Sequence, residues 1–133
     1  MAFLVQNKLG KWGERKAEQE YLKQGYVLVA RNIYNTRGKR LGEIDLVIRT
    51  ETELVFVEVK TRRAGKFGTA VESITKLKQQ KLIRTVQWFC RLFPQYAYLQ
   101  PRIDVCAIDV TVIGDGTDLD NCPVNVIIIP HAV

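Results

Sequence analysis

Hydrophobic and polar positions along this chain alternate in two distinct rhythms, and the switches between them mark seven elements. Over residues 9–24 the positions Gly10, Gly13, Ala17 and Tyr21 recur at helical spacing, and Gly25 follows where a left-handed cap is favoured. That pattern predicts a helix whose inward face is small enough for close packing. Residues 26–33 are rich in β-branched and aromatic side chains and read as a strand. Two further apolar runs, 44–48 and 54–59, read as a hairpin. A second helix is predicted over 71–93, because Leu82, Val86, Phe89 and Phe93 step by four, three and four, with Ile83 and Cys90 widening the stripe. Pro94 ends it. Residues 103–112 and 124–129 read as two last strands, separated by "GDGTDLDNCP", whose Gly, Asp and Asn suit tight turns. The order helix, three strands, helix, two strands predicts one α/β domain over residues 1–133, a mixed β-sheet flanked by helices.

The hairpin breaks its own pattern. Asp45 and Glu58 interrupt its two β-branched runs, and Lys60 follows Glu58 by two. Side chains alternate along a strand, so Glu43 and Asp45 share one face and Glu58, Lys60 and Arg62 another. A turn centred on Glu51-Thr52 places Asp45 opposite Glu58 and Glu43 opposite Lys60, with all of them on one face of the sheet. Glu14 lies on or beside the inward face of the first helix. Two close carboxylates repel unless a cation lies between them. Lys60 supplies one such cation, which makes a cross-strand salt-bridge cluster. A divalent metal supplies another, and oxygen donors without imidazole or thiolate point to Mg²⁺ or Mn²⁺. Spacing alone leaves both readings open.

Charge sharpens the choice of partner. Residues 1–101 carry 19 of the 20 Lys and Arg and a balance of +10, while residues 102–133 carry −4. A basic body suits a polyanion. Its cations crowd into two glycine-containing loops, "NTRGKRLG" with Arg37, Lys39 and Arg40, and "RAGKFGTA". Others (Lys76, Lys78, Lys81, Arg84) fall on the second helix, away from its apolar stripe. The second loop lacks the G-x-x-x-x-G-K-[ST] phosphate-loop pattern. Three cysteines and one histidine, without a C-x-x-C, argue against a disulfide framework and a zinc site. The turn loop lacks the glycine and glutamate of a calcium loop. No stretch has the length of a membrane span or the form of a signal peptide, so the expected compartment is the cytoplasm.

Asp45…Glu58-Val59-Lys60 resembles the PD-(D/E)XK nuclease signature. The wider set "GERKAEQEYLKQGY", "RN", "GEIDLV", "LVFVEVKTR", "FG", "RIDV" and "PHAV" resembles the YraN-like family of small bacterial proteins over nearly the whole chain. That family is assigned the restriction-endonuclease-like fold and is similar to archaeal Holliday-junction resolvases. The resemblance implies a Mg²⁺- or Mn²⁺-dependent endonuclease acting on phosphodiester bonds, with branched DNA as one substrate. It implies that Asp45, Glu58 and the Val59 carbonyl hold metal, that Glu14 completes the site, and that Lys60 is the catalytic lysine. Ile44 stands where the signature has proline, a position that contributes no ligand. Arg37, Lys39, Arg40, Arg62, Lys78 and Lys81 are the expected phosphate contacts, with DNA preferred to RNA and a homodimer among the assemblies allowed. The alternative is a nucleic-acid-binding module that keeps the fold without the chemistry.

Overall fold

The computed structural model describes residues 2–34, 42–64 and 74–133, with side chains from residue 8 onward. Five strands form one sheet in chain order: β1 (Val27–Tyr34), β2 (Glu43–Arg49), β3 (Glu53–Arg63), β4 (Gln100–Val110) and β5 (Val124–Ile129). Only β3 and β4 run parallel. A parallel neighbour needs a crossover, and α2 (Lys76–Leu92) supplies it. The first helix, α1 (Ala2–Lys23), precedes the sheet.

The helices cover opposite faces. Leu82, Val86 and Phe89 of α2 bury against Val47, Leu54, Phe56, Val105 and Ala107. Trp12, Ala17 and Tyr21 of α1 bury against Leu46, Ile48, Val55, Val57, Cys106 and Ile108. Strand positions that alternate in sequence thus alternate between two cores, which is why the central strands carry unbroken apolar runs over residues 46–48, 54–57 and 105–108. The architecture is the α/β domain the sequence predicts, two helices on a five-stranded mixed sheet. Among the described residues no helix is long and apolar enough to cross a membrane.

Several boundaries move for physical reasons. Helix α1 begins well before residue 9, and it ends as expected at Gly25, whose φ of +94° is the left-handed cap. Helix α2 starts at Lys76, not at 71, because the Thr75 side chain accepts from Lys78 N–H and caps it there; residues 71–73 lie outside those described. Its stripe is narrower than expected. Ile83 and Phe93 are exposed, and Thr85 is buried in the face with its hydroxyl donating to the Lys81 carbonyl. Strand β4 begins at Gln100, earlier than its β-branched run, because eleven parallel pairs with β3 extend it.

The hairpin turn forms where the sequence places it. Thr50 N–H donates to the Glu53 carbonyl at 2.9 Å across Glu51-Thr52. Pairs Arg49↔Leu54, Ile48↔Val55, Val47↔Phe56 and Leu46↔Val57 follow in the predicted register. The ladder then stops. Glu43 is paired with Tyr34 of β1, and the expected pair of Glu43 with Lys60 is not formed.

Candidate active site

At the point where the β2–β3 ladder ends, Asp45 replaces a backbone acceptor. Its Oδ2 accepts the Val59 N–H at 2.8 Å, so a side chain closes the gap between the strands. The expectation that Asp45, Glu58 and Lys60 share one sheet face is corrected here. Glu58 follows Phe56 in phase and lies on the α2 side, with Lys60 beside it. Asp45 turns instead toward α1. Strand β2 changes phase at this residue, since Ile44 packs with the α2 core and Leu46 with the α1 core. The partner strand changes phase with it. Between the pairs Arg31↔Leu46 and Ile33↔Ile44 stands Asn32, whose φ of +50° is left-handed. A left-handed residue in mid-strand turns the strand over by one position, and asparagine is among the few side chains that tolerate it.

Helix α1 brings the next carboxylate. Gly13 is buried, and a Cβ there would meet Thr61 Oγ1 at 1.7 Å. The missing side chain therefore lets α1 lie directly on β3, and Glu14, next in sequence, reaches Asp45. Burial raises the Glu14 carboxyl above its ordinary range, the neighbouring Asp45 carboxyl pulls it back, and Glu43 adds to the rise. Asp45 is pushed up to about 7, by burial first and then by Glu58, with Val59 N–H opposing and with Glu14 and Glu43 contributing. Four acids thus act on one another, although they come from α1, β2 and β3. Beside them a cleft of about 240 Å³ is bordered by Lys11, Glu14, Arg15, Arg31, Asn32 and Asp45. Arg31 is held in a two-pronged pair by Glu18.

The other side of the mouth is basic. Glu58 is buried, and Lys78 Nζ from the first turn of α2 lies 2.7 Å from its Oε1, with Lys60 Nζ at 3.6 Å. The two ammonium groups also act on each other across the shared carboxylate. Burial and then Lys78 lower the Lys60 ammonium below the usual lysine range. Lys78 moves the other way: against burial, its bond to Glu58 raises it.

Of the expected site residues, Asp45 and Glu14 border this mouth on the α1 side, Glu58 and Lys60 on the α2 side, and Val59 is bonded to Asp45 between them. Arg62 is drawn to Asp109 of β4, with Nε 3.6 Å from Oδ1, and Lys78 is committed to Glu58 in place of an open phosphate contact. Lys81 is exposed on α2, as phosphate contact requires. Arg37, Lys39 and Arg40 lie outside the described residues. As the side chains stand, no group of three or more His, Cys, Asp or Glu among the described residues is close enough to hold a metal ion. The donor chemistry nonetheless fits a hard divalent cation: carboxylates and a backbone carbonyl, with no thiolate or imidazole among them.

Two arrangements escaped the sequence reading. Asp104 is fully buried and accepts from Tyr21 Oη at 2.9 Å and from Arg102 Nε at 2.8 Å; Arg102 also donates to Glu53 and Tyr26. An aspartate inside an apolar strand was the available signal. The cleft cations Lys11 and Arg15 follow from how α1 docks, which no local pattern announces.

Fold and site together define a small α/β domain that gathers carboxylates and lysines at the open end of an antiparallel hairpin. Residues 13–108 match the family described as "Uncharacterised protein family UPF0102", and the chain belongs to that family. A UPF0102 protein of Acinetobacter baumannii (strain AYE) is 40% identical over 106 residues, 80% of this chain and 77% of that one. Another from Saccharophagus degradans is 42% identical over 102 residues, covering 77% and 83% of the two chains. A third, from Syntrophotalea carbinolica, is 36% identical over 115 residues, covering 86% and 88%.

Proposed function

We propose that this chain is a Mg²⁺- or Mn²⁺-dependent endonuclease with the restriction-endonuclease-like fold, acting on nucleic-acid phosphodiester bonds, branched DNA among them. The observation that carries this reading is the mouth of the β2–β3 hairpin. There Asp45, Glu58 and Lys60 of the D…E-x-K pattern meet Glu14 from α1, around an aspartate whose side chain replaces part of the ladder. A purely structural cluster has no need to set acids against one another beneath a basic surface.

Asp45, Glu58, the Val59 carbonyl and Glu14 are the oxygen donors that would hold the cation. When bound, such a cation supplies Lewis acidity toward a phosphoryl oxygen and acidifies water. Lys60, with its lowered proton affinity, orients the attacking water or donates to the phosphate as charge builds on it. Lys81 and the cleft cations Lys11 and Arg15 hold flanking phosphates, which gives affinity without sequence choice.

The grip of Lys78 on Glu58 favours a second reading, a nucleic-acid-binding module that performs no chemistry. A cleavage panel of junction, flap, single-stranded and duplex substrates, with Mg²⁺ and with Mn²⁺, tests both. Metal-dependent cutting that is lost in Glu58→Gln supports the nuclease. Binding without cutting on every substrate supports the module and ends the nuclease reading.

A further inference from the structure

Glu58 is the most enclosed acid of the site, its side chain 7% exposed, and its nearest cation belongs to another element. Lys78 reaches it from the first turn of α2, where Thr75 fixes the helix start by accepting Lys78 N–H at 3.1 Å. Backbone and side chain of Lys78 are therefore held by two different anchors. Its ammonium lies 2.7 Å from Glu58 Oε1, closer than the 3.6 Å of Lys60. A buried carboxylate without a partner is strongly unfavourable, so some cation must accompany it. Lys78 is nonetheless about a third exposed, at 35%, so it has a path out to solvent.

We propose that Lys78 is a resident counter-ion of Glu58, one that competes with the incoming metal for this carboxylate and swings out toward substrate phosphate when the metal takes its place. The proposal rests on the metal-dependent reading above and adds to it a residue that sets metal affinity. It also reassigns Lys78, from a permanent phosphate contact to one that becomes available only when the metal is in. Lys60 cannot take this part equally well, because it lies on the same strand as Glu58, two residues on, and stays with it whatever α2 does.

Mutual exclusion has a measurable signature. If the Glu58–Lys78 pair is closed about nine-tenths of the time, removing Lys78 tightens the apparent metal Kd about tenfold. The experiment is calorimetric titration of Mn²⁺ into wild type, Lys78→Met and Lys78→Arg, with far-UV dichroism and thermal melts on each. Tighter Mn²⁺ binding by Lys78→Met, with Lys78→Arg close to wild type, is expected. So is a larger rise in Tm on adding Mn²⁺ to Lys78→Met than to wild type. If Lys78→Met is unfolded until Mn²⁺ is added, the metal has supplied the missing counter-ion and the proposal stands. If it stays unfolded at saturating Mn²⁺, or binds Mn²⁺ no more tightly than wild type does, the proposal is overturned while the metal-dependent reading survives. If neither wild type nor Lys78→Met binds Mn²⁺, both fall together.

Discussion

Replacing Asp45 with asparagine in the metal-free protein should make the fold more stable, by an amount that grows with pH. The folded-state pKa of Asp45 is about 7, against 3.8 for an ordinary aspartate. Between those values the native chain holds a proton that the unfolded chain releases, so stability falls as pH rises through the window. About three pH units at about 1.4 kcal/mol each give about 4 kcal/mol at full development. Water reaching a partly exposed carboxyl reduces this to about 2–4 kcal/mol. Asparagine keeps an oxygen for the Val59 N–H and carries no charge. In a domain of this size 1 kcal/mol moves Tm by about 3–4 °C. Melts in EDTA at half-unit intervals from pH 4.5 to 8.5 should show a small advantage for Asp45→Asn at the acid end. That advantage should reach about 6–16 °C above pH 7 and level off there. Excess Mn²⁺ should raise the wild-type Tm and leave the variant unmoved, since binding to the native state alone stabilises it. A structural salt-bridge cluster predicts the opposite sign, a loss of about 1–3 kcal/mol in the variant. A variant that is no more stable than wild type at pH 8, or an advantage that shrinks with pH, would refute the reasoning.

Other parts of the site make shorter predictions. Gly13→Ala forces a methyl against Thr61, so α1 must lift; a loss of about 2–4 kcal/mol in urea unfolding is expected, together with weaker Mn²⁺ binding, because Glu14 moves with the helix. Asn32→Gly should leave stability unchanged or slightly higher, whereas Asn32→Val should cost about 1–2 kcal/mol by thermal melt and, by undoing the change of strand phase, weaken Mn²⁺ binding. Asp104→Ala leaves the buried Arg102 guanidinium with Glu53 as its one carboxylate and Tyr21 Oη without its acceptor, and should destabilise by about 3–5 kcal/mol, read by denaturant unfolding, with little effect on metal affinity. Nucleic-acid affinity should fall with salt, and Lys11→Ala or Arg15→Ala should each flatten the log–log slope by roughly one unit; slopes equal to wild type would remove the cleft from the binding surface.

The parts legible in the sequence are those governed by short-range rules. A two-residue turn with period-two strands fixes a register by arithmetic, so Asp45 and Glu58 were brought to the same end of the hairpin before any packing was known. The apolar stripe of α2 was legible in Leu82, Val86 and Phe89 for the same reason, while Ile83 is exposed on the helix and Phe93 is exposed as the residue that caps its end. What escaped depends on distant neighbours. The change of phase at Asp45 needs Asn32 on the adjoining strand, thirteen positions earlier in the sequence. The cation on Glu58 comes from twenty residues later, in the crossover helix itself, and alternation along β3 offers no means of finding it. The aspartate buried beneath α1 likewise acquires its meaning only from Tyr21 and Arg102.

The location of the site follows from the same topology. The sheet separates the α1 core from the α2 core, and a complete ladder would keep their side chains apart. Ending the β2–β3 ladder at Leu46↔Val57 opens the one stretch of the hairpin where residues from both sides come within electrostatic reach. Glu14 arrives there from α1 because Gly13 permits contact with β3, and Lys78 arrives from α2 because Thr75 fixes where that helix begins. Asp45 belongs to neither core. It is bonded to the β3 backbone, and its charge is acted on by Glu14 of α1 as well as by Glu58 of β3. A carboxyl so placed feels every change at the mouth from either side, which is why one substitution there can separate a metal centre from a salt-bridge cluster by the sign of its effect alone.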